Sequence, residues 1–411
     1  MKKHTQGGRI RVLHVLEATA GGTMRYLENI IEATDSDTIE SGFVYSIEGA
    51  DHRLESALEV AREAGWFCAH VEMARSMDPL RHLIAMIRLR RVMVRFRPHI
   101  VHCHSSMAGA FGRIAAQLVF TSPRPRTVYS PHALAAWLGR HFYWIERGLA
   151  RLTNAFIAVS DSERSDLVEY GLASQERIGV VYPVIDSEYY EPQCRETARK
   201  LLGIDPEAKV VIAVGRLTYQ KNPLAFLEII HKLSAKIPGI TAIWVGSGAL
   251  ERSFLARAAQ LGLRDQVKVS GWIPDVRTHL AAANVLVSTS RFESFGYMVA
   301  EALASQRPVV AAAVTGSVDI LRDNLSFMLY PPGDLQTAAD KVGELLQNPE
   351  MADALAEAGR RSICCSRFDR NSMRAALRVC YHAVLSTKEI SPAAISGNVQ
   401  STSSFGIRRT F

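Results

Sequence analysis

The 411-residue chain is 48% apolar and 22% charged, the balance of an ordinary globular protein, which excludes a disordered or fibrous chain. At roughly 100–200 residues per domain, its length predicts two or three domains with full-sized cores. The net charge of +7 is too mild to call for nucleic acid, although seven arginines against one aspartate between Arg75 and Arg97 gather the excess on one face.

In chain order, short β-branched runs alternate with longer helical patterns. A strand is predicted over Arg11–Leu16, then a turn at Ala20-Gly21-Gly22-Thr23 and a helix over Met24–Ala33. Phe43–Ile47 reads as a strand and Leu54–Ala64 as a helix; a longer helix over Leu80–Phe96 is ended by Pro98. Strands follow at Ile100–Cys103 and Thr127–Ser130, with a helix over Met107–Leu118 between them, and Phe156–Val159 and Val180–Tyr182 close this half. The pattern restarts with strands at Lys209–Val214, Thr241–Val245, Val267–Ser270, Val285–Ser288 and Val309–Ala311. Such alternation predicts α/β architecture: two Rossmann-like, doubly wound parallel-sheet domains facing across a cleft. The expected divisions are a flexible N-terminus at 1–8, a first domain at 9–184, a Pro-rich charged linker at 185–206, a second domain from 207, and a disordered Ser/Thr-rich tail at 388–411.

Basic Met1–Arg11 lacks the apolar core of a signal peptide, and no apolar run reaches about 18 residues. The six cysteines show neither a disulfide framework nor zinc spacing. A reduced, cytoplasmic, non-spanning protein is expected.

In open α/β sheets, ligands bind beyond the carboxyl ends of the strands, so candidate residues are sought there. Gly21-Gly22 opens a helix and lets backbone N–H groups approach an anion, although a glycine pair also serves a plain turn; it is not Gly-x-Gly-x-x-Gly. After Lys209–Val214, Gly215-Arg216-Leu217-Thr218-Tyr219-Gln220-Lys221 sets two cations five residues apart in a loop that enters a helix at Pro223. An Arg fork and a Lys point charge suit a diphosphate held without metal, the alternative being two solvated loop cations. After Val285–Ser288, Glu293 and Glu301 flank Ser294-Phe295-Gly296. Carboxylates accept bonds from sugar hydroxyls, and the turn between them offers helix N-terminal N–H groups to phosphate, the outline of a nucleotide sugar. His132 follows the strand Thr127–Ser130. His102 and His104 share one strand face, but a metal would need a third ligand, and none is expected nearby. Asp35-Ser36-Asp37 follows a helix rather than a strand and reads as a turn. No metal site is expected.

Together these segments resemble the GT-B retaining glycosyltransferases of glycosyltransferase family 4 over roughly Ile10–Leu385, most specifically at Gly215–Asn222 and at the Glu-x7-Glu from Glu293 to Glu301. The resemblance implies that Arg216 and Lys221 neutralise the donor diphosphate, Glu293 contacts the donor sugar and Glu301 the ribose. It places His132 against the sugar and Gly21 and Gly22 near the phosphates and acceptor. Gly246 to Gly248, and Gly271 to Ile273 with Trp272, match loops around sugar and base, alongside Gly215, Ser294, Phe295 and Gly296. It also ends the second domain near 365 and returns a last helix, 366–387, to the first domain. Asn284, Ser294, Asp319 and Phe327 depart from the usual pattern, leaving the sugar's identity open. The expected activity is a retaining, metal-independent, hexosyl-type transfer without a cofactor, from a nucleotide-diphosphate sugar (UDP favoured over GDP) to a lipid-linked saccharide in bacterial surface polysaccharide synthesis. The rivals are a sugar-nucleotide epimerase of similar shape and a non-catalytic nucleotide-sugar-binding protein. On a helical wheel, Arg81, Arg88, Arg91 and Arg95 gather on one side of Leu80–Phe96, an expected contact with anionic lipid at the inner face of the cytoplasmic membrane. Leu83, Met86, Ile87, Leu89, Met93, Val94 and Phe96 are expected to face the core.

Overall fold

The structure is a computed structural model that describes residues 9–73, 78–322, 325, 328–364 and 367–386. The segments 1–8 and 388–411, with Arg75, Phe327 and Cys365, lie outside the described residues. Among the described residues, thirteen strands form two sheets. The first holds β1 (Ile10–Leu16), β2 (Ile39–Tyr45), β3 (Phe67–His70), β4 (Ile100–His104), β5 (Arg126–Ser130), β6 (Ala155–Ala158) and β7 (Ile178–Val180) in the order β3-β2-β1-β4-β5-β6-β7. The second holds β8 (Val210–Val214), β9 (Thr241–Val245), β10 (Val267–Val269), β11 (Val285–Ser288), β12 (Val309–Ala312) and β13 (Leu329–Tyr330) in the order β10-β9-β8-β11-β12-β13. Every ladder is parallel.

The helices of the first half are α1 (Gly21–Ala33), α2 (Arg53–Glu63), α3 (Pro79–Phe96), α4 (Ser106–Gln117), α5 (Arg140–Ala150) and α6 (Asp161–Glu169). They continue with α7 (Arg195–Leu202), α8 (Pro223–Ser234), α9 (Glu251–Gln260), α10 (Arg277–Ala282), α11 (Tyr297–Ala304), α12 (Ser317–Ile320), α13 (Leu335–Gln347), α14 (Pro349–Cys364) and α15 (Arg370–Ser386). Helices on both faces explain why β4, β6 and β12 are buried at every residue and why β6 and β12 read as continuous apolar runs rather than alternating ones. Local chemistry sets the helix ends. Asp78 accepts from the Leu80 and Arg81 N–H groups ahead of Pro79, and α3 stops at left-handed Arg97, just before Pro98.

Three readings are corrected. β2 begins at Ile39 and ends at Tyr45, not over Phe43–Ile47, because Ile39 pairs with Ile10 at the start of β1. β3 and β13 had no sequence signal: Phe67-Cys68-Ala69-His70 is a half-exposed edge and Leu329–Tyr330 spans two residues. The apolar side of α3 is not wholly internal. Leu89, Met93 and Phe96 are buried with Ala85, whereas Leu83, Ile87 and Val94 are exposed, as are Leu80 and Ile84.

The chain passes between the halves twice, and the two passages touch. The Ile185 N–H donates to the Phe368 carbonyl at 2.8 Å, and Arg367 lies over the Tyr182 ring at 4.1 Å. Beyond this point α15 packs on the first sheet's side. Arg374 donates to the Ala33 carbonyl at 2.9 Å and Tyr381 reaches His102. No described helix is long and apolar enough to cross a membrane. The described cysteines, Cys68, Cys103, Cys194, Cys364 and Cys380, are free thiols.

Candidate active site

In each sheet the strand order reverses direction next to the first strand, between β1 and β4 and between β8 and β11. Ligands of doubly wound sheets bind at such points, beyond the carboxyl ends of the strands. The segments singled out by sequence stand there: Gly21-Gly22 after β1, His132 after β5, Gly215–Lys221 after β8 and Thr289–Gly296 after β11.

In the second half, two loops are clipped together. The Thr289 hydroxyl donates to the Lys221 carbonyl at 2.9 Å, Arg291 N–H to the Gln220 carbonyl at 2.8 Å, and the Gln220 amide to the Phe292 carbonyl at 3.2 Å. Across this joint the Lys221 ammonium meets Glu293 Oε1, which also accepts from the Ser290 hydroxyl at 2.7 Å. Arg216 is exposed and has no side-chain partner among the described residues. The loop after β9 passes unusually close. A Cβ on Gly246 would stand 2.2 Å from the Gly215 carbonyl oxygen, and one on Gly248 would stand 2.5 Å from the Leu217 carbonyl oxygen. Only glycine permits that approach. Trp244 anchors the same point by donating to the Gly215 carbonyl at 2.8 Å. Trp272 is 56% exposed, with its ring 4.7 Å from that of His52 in the first half.

Helix α11 begins after left-handed Gly296, and one turn in, Glu301 is 2% exposed. Its Oε1 is taken by the guanidinium of Arg25, which reaches across from α1 and also donates to the Tyr190 hydroxyl at 2.7 Å. Burial raises the Glu301 carboxyl above its ordinary value, against the pull of Arg25; the carboxylate in turn raises Arg25 further. Phe295 points into an aromatic cluster with Tyr297, Phe368 and Tyr182.

From the first half, α1 starts at Gly21, and Gly22 lies where a Cβ would touch the Tyr297 ring at 3.4 Å. Helix α6 faces the turn before α11. The Ser160 hydroxyl donates to the Ser294 carbonyl at 2.6 Å, and Ser162 bonds both Asp319 and the Gly316 N–H. His132 is half-buried with φ of 56°, a left-handed conformation that a non-glycine residue holds only where its surroundings impose it. Its Nε2 lies 3.0 Å from His104 Nδ1. Burial lowers His132 and His14 to about 3 and His102 and His104 well below their ordinary value, so all four rings are neutral near pH 7.

Two family models match this chain: "Glycosyl transferases group 1" over residues 195–362 and "Glycosyltransferase Family 4" over residues 20–189. The chain is a GT-B glycosyltransferase of the family 4 type. Among curated relatives of this glycosyltransferase is EpsD of Bacillus subtilis (strain 168), named as a glycosyltransferase. It is 24% identical over 306 residues, which span 71% of this chain and 79% of EpsD. The D-inositol 3-phosphate glycosyltransferase of Segniliparus rotundus is 28% identical over 318 residues, 72% of this chain and 69% of that protein. The Anabaena protein Alr3699/HepE, solved with UDP-glucose, superposes with a TM-score of 0.75 at 20% identity, covering 92% of this chain and 100% of the other. That likeness is one of fold.

Within the glycosyltransferase, Lys221, Glu293, Ser294, Gly215, Gly246 and Gly248 come together, with Arg216 open beside them. Glu301 departs from the expected cleft-facing carboxylate, because Arg25 already holds it in a buried pair. Phe295 can offer a ligand only its backbone, since its side chain is packed in the core. The statement that His102 and His104 lack a third neighbour is overturned. His14, on the adjacent strand β1, brings a ring nitrogen within 4.8 Å of theirs. Asp35 and Asp37 do form a turn, in which Asp35 accepts from the Asp37 N–H and the Thr38 hydroxyl, both at 3.1 Å. Arg25 and Tyr190 were missed; the one local hint was that Arg25 sits one turn into the helix that the glycine pair opens.

Proposed function

We propose that this glycosyltransferase is a retaining, metal-independent enzyme that moves a sugar from a UDP-sugar to a lipid-linked saccharide in bacterial surface polysaccharide synthesis. The observation that carries the reading is Arg216, a cation without a side-chain partner among the described residues, beside the Lys221–Glu293 pair at a topological switch point. Charge grows on the diphosphate as the glycosidic bond breaks, and preorganised cations and a helix N-terminus lower the barrier most when aimed at that charge. In this reading Arg216, Lys221 and the N–H groups after Gly296 meet the diphosphate, Glu293 orients the sugar, and His132 lies against it. A ribose reaching Glu301 has to share it with Arg25. Trp272 and the loop from Gly246 to Gly248 border the base and sugar. The Anabaena protein solved with UDP-glucose supports a uridine nucleotide. The domain divisions at 9–184, 185–206, 207–365 and 366–387 belong to the same reading. So does peripheral attachment at a cytoplasmic membrane face through the exposed arginines of α3.

Thermal-shift measurements against UDP, GDP and ADP test the nucleotide, because binding to the folded state raises apparent stability with ln(1 + [L]/Kd). UDP is expected to give the largest shift. Arg216→Ala should lower kcat/KM by about 2–4 kcal/mol in transition-state terms without unfolding the protein, and activity should survive EDTA. Wild-type turnover by Arg216→Ala would remove the diphosphate assignment. Loss of activity in EDTA, restored by Mg²⁺, would replace these side chains with a metal.

A further inference from the structure

Three strands of the first sheet bring four histidines to one place. His102 and His104 lie on one face of β4, His14 stands beside His102 in the register of β1, and His132 follows β5. Two contacts join three of the rings in series. His14 Nδ1 is 3.1 Å from His104 Nε2, and His104 Nδ1 is 3.0 Å from His132 Nε2. His102 stands outside the series. Its Nδ1 meets the Tyr381 hydroxyl of α15 at 2.8 Å and its Nε2 meets the Ser130 hydroxyl at 2.9 Å. Phe43 stacks on His14 at 5.0 Å, and Tyr26 of α1 lies edge-on to His132 at 4.7 Å. Tyr26 and Tyr381 are therefore the titratable side chains facing the cluster from the helices, and burial raises both well above their ordinary values.

Each nitrogen–nitrogen contact needs a single proton, and a neutral imidazole carries one proton in all. If His104 carries it on Nδ1, it donates to a bare His132 Nε2, so His132 is protonated on Nδ1. His104 Nε2 is then bare and accepts from His14 Nδ1. If His104 carries it on Nε2, both neighbours reverse. We infer that His14, His104 and His132 form one tautomeric unit, with all three protons on Nδ1 or all three on Nε2, so that two buried rings set which nitrogen of His132 bears hydrogen. Interconversion puts one proton on at His132 Nδ1 and takes one off at His14 Nε2, with two handed along between.

His14 and His104 are thus positioning residues. Their consequence for catalysis rests on His132 standing at the donor sugar, as in the proposed function. Positive charge gathers on the sugar as the diphosphate leaves; a neutral ring bonds a sugar hydroxyl without opposing that charge, and an imidazolium would oppose it. A metal is the competing occupant, since nitrogens of His14, His102 and His104 lie within 4.8 Å of one another. Against it, both nitrogens of His102 and both of His104 already have protein partners.

The test is long-range ¹H–¹⁵N correlation on the full-length protein with ¹⁵N-labelled histidine, which separates Nδ1–H, Nε2–H and imidazolium forms. Resonances are assigned with single His→Gln variants. In the wild type at pH 7.5, the three rings should show the same neutral tautomer and remain neutral to about pH 5. In His104→Gln, His132 should stay neutral, but its tautomer should no longer be tied to that of His14, so both its Nδ1–H and Nε2–H forms should be seen. The variant's kcat should fall about 10-fold, the low end of the loss when a group orienting a metal-bound histidine is removed, with UDP affinity unchanged. Opposite tautomers at His104 and His132, or one bound metal per chain in the purified protein, would overturn the inference. So would a single His132 tautomer, unchanged from the wild type, in His104→Gln. If that variant does not fold, the wild-type spectrum alone decides. If no nucleotide sugar is turned over, the functional reading falls while the tautomer result stands on its own.

Discussion

The Arg25–Glu301 pair joins the two halves through groups of very different exposure. The Glu301 side chain is 2% accessible and that of Arg25 30%. Arg25→Met keeps most of the aliphatic stem and removes the charge, leaving a carboxylate in the interface with no cation. Removing one partner of a buried pair costs about 3–5 kcal/mol. Water can enter where the exposed part of the guanidinium stood, so the low end, about 3 kcal/mol, is expected here. Small proteins have urea m-values of about 1–3 kcal/mol/M and m grows with size, so in a chain of 411 residues this moves the unfolding midpoint down by at most about 1 M, read by tryptophan emission. The loss should depend on pH. Burial already raises the Glu301 carboxyl, and deleting Arg25 removes what pulls it down. A carboxyl raised in the folded state gives stability that is present at low pH and lost as pH rises through its folded value. The variant can protonate Glu301 cheaply at pH 5 and cannot at pH 8, so its deficit should be larger at pH 8. Arg25→Met with Glu301→Leu should recover most of the loss, because an apolar replacement leaves no charge stranded. An unchanged midpoint at pH 8, or equal losses at both pH values, would refute the reasoning.

Glu163 at the start of α6 is buried and pushed up to about 8, chiefly by desolvation. Its contribution is fully present below the unfolded value of about 4.3 and is lost as pH rises through about 8. Glu163→Gln, which still accepts from the Val159 N–H, should therefore gain melting temperature relative to wild type between pH 6 and 9, by calorimetry. On α3, Arg88, Arg91 and Arg95 are exposed beside Leu83, Ile84 and Ile87. Co-sedimentation with anionic vesicles should exceed that with neutral ones, each cation adding about 1 kcal/mol. Raised salt should weaken it, and the exposed apolar residues should leave a residual component. Changing the three arginines to Glu should abolish binding and leave UDP affinity intact; undiminished sedimentation of that variant would remove α3 from the membrane reading.

Strands β1, β4, β8 and β11 were legible because each is a short, mainly β-branched or apolar stretch flanked by turn or helical chemistry. The loops after them were legible because the fold puts ligands there. What escaped were relations between distant residues. Arg25 meets Glu301 across 276 positions, and one arginine on an amphipathic helix carries no mark of its partner. His14 and His104 are 90 apart, so a search for a third ligand near in sequence could not find what strand adjacency supplies. The wheel drawn on α3 sorted residues by polarity, whereas burial followed the narrow stripe Ala85, Leu89, Met93 and Phe96 that touches the rest of the domain.

The hydrogen bond from Ile185 to the Phe368 carbonyl fastens the outgoing and returning segments at a single place. Two separate tethers would let the halves slide or twist in several ways; two tethers clasped together leave chiefly a swing about the clasp. Asp161 accepts from the Tyr182 hydroxyl and pairs with Arg367, so the clasp extends to the start of α6, and opening would be least there, beside Ser162 and Asp319. Substrate entry becomes a matter of how often the contacts between the halves release, while the clasp returns Gly22 to Tyr297 and α6 to the Ser294 turn in the same alignment at each closure.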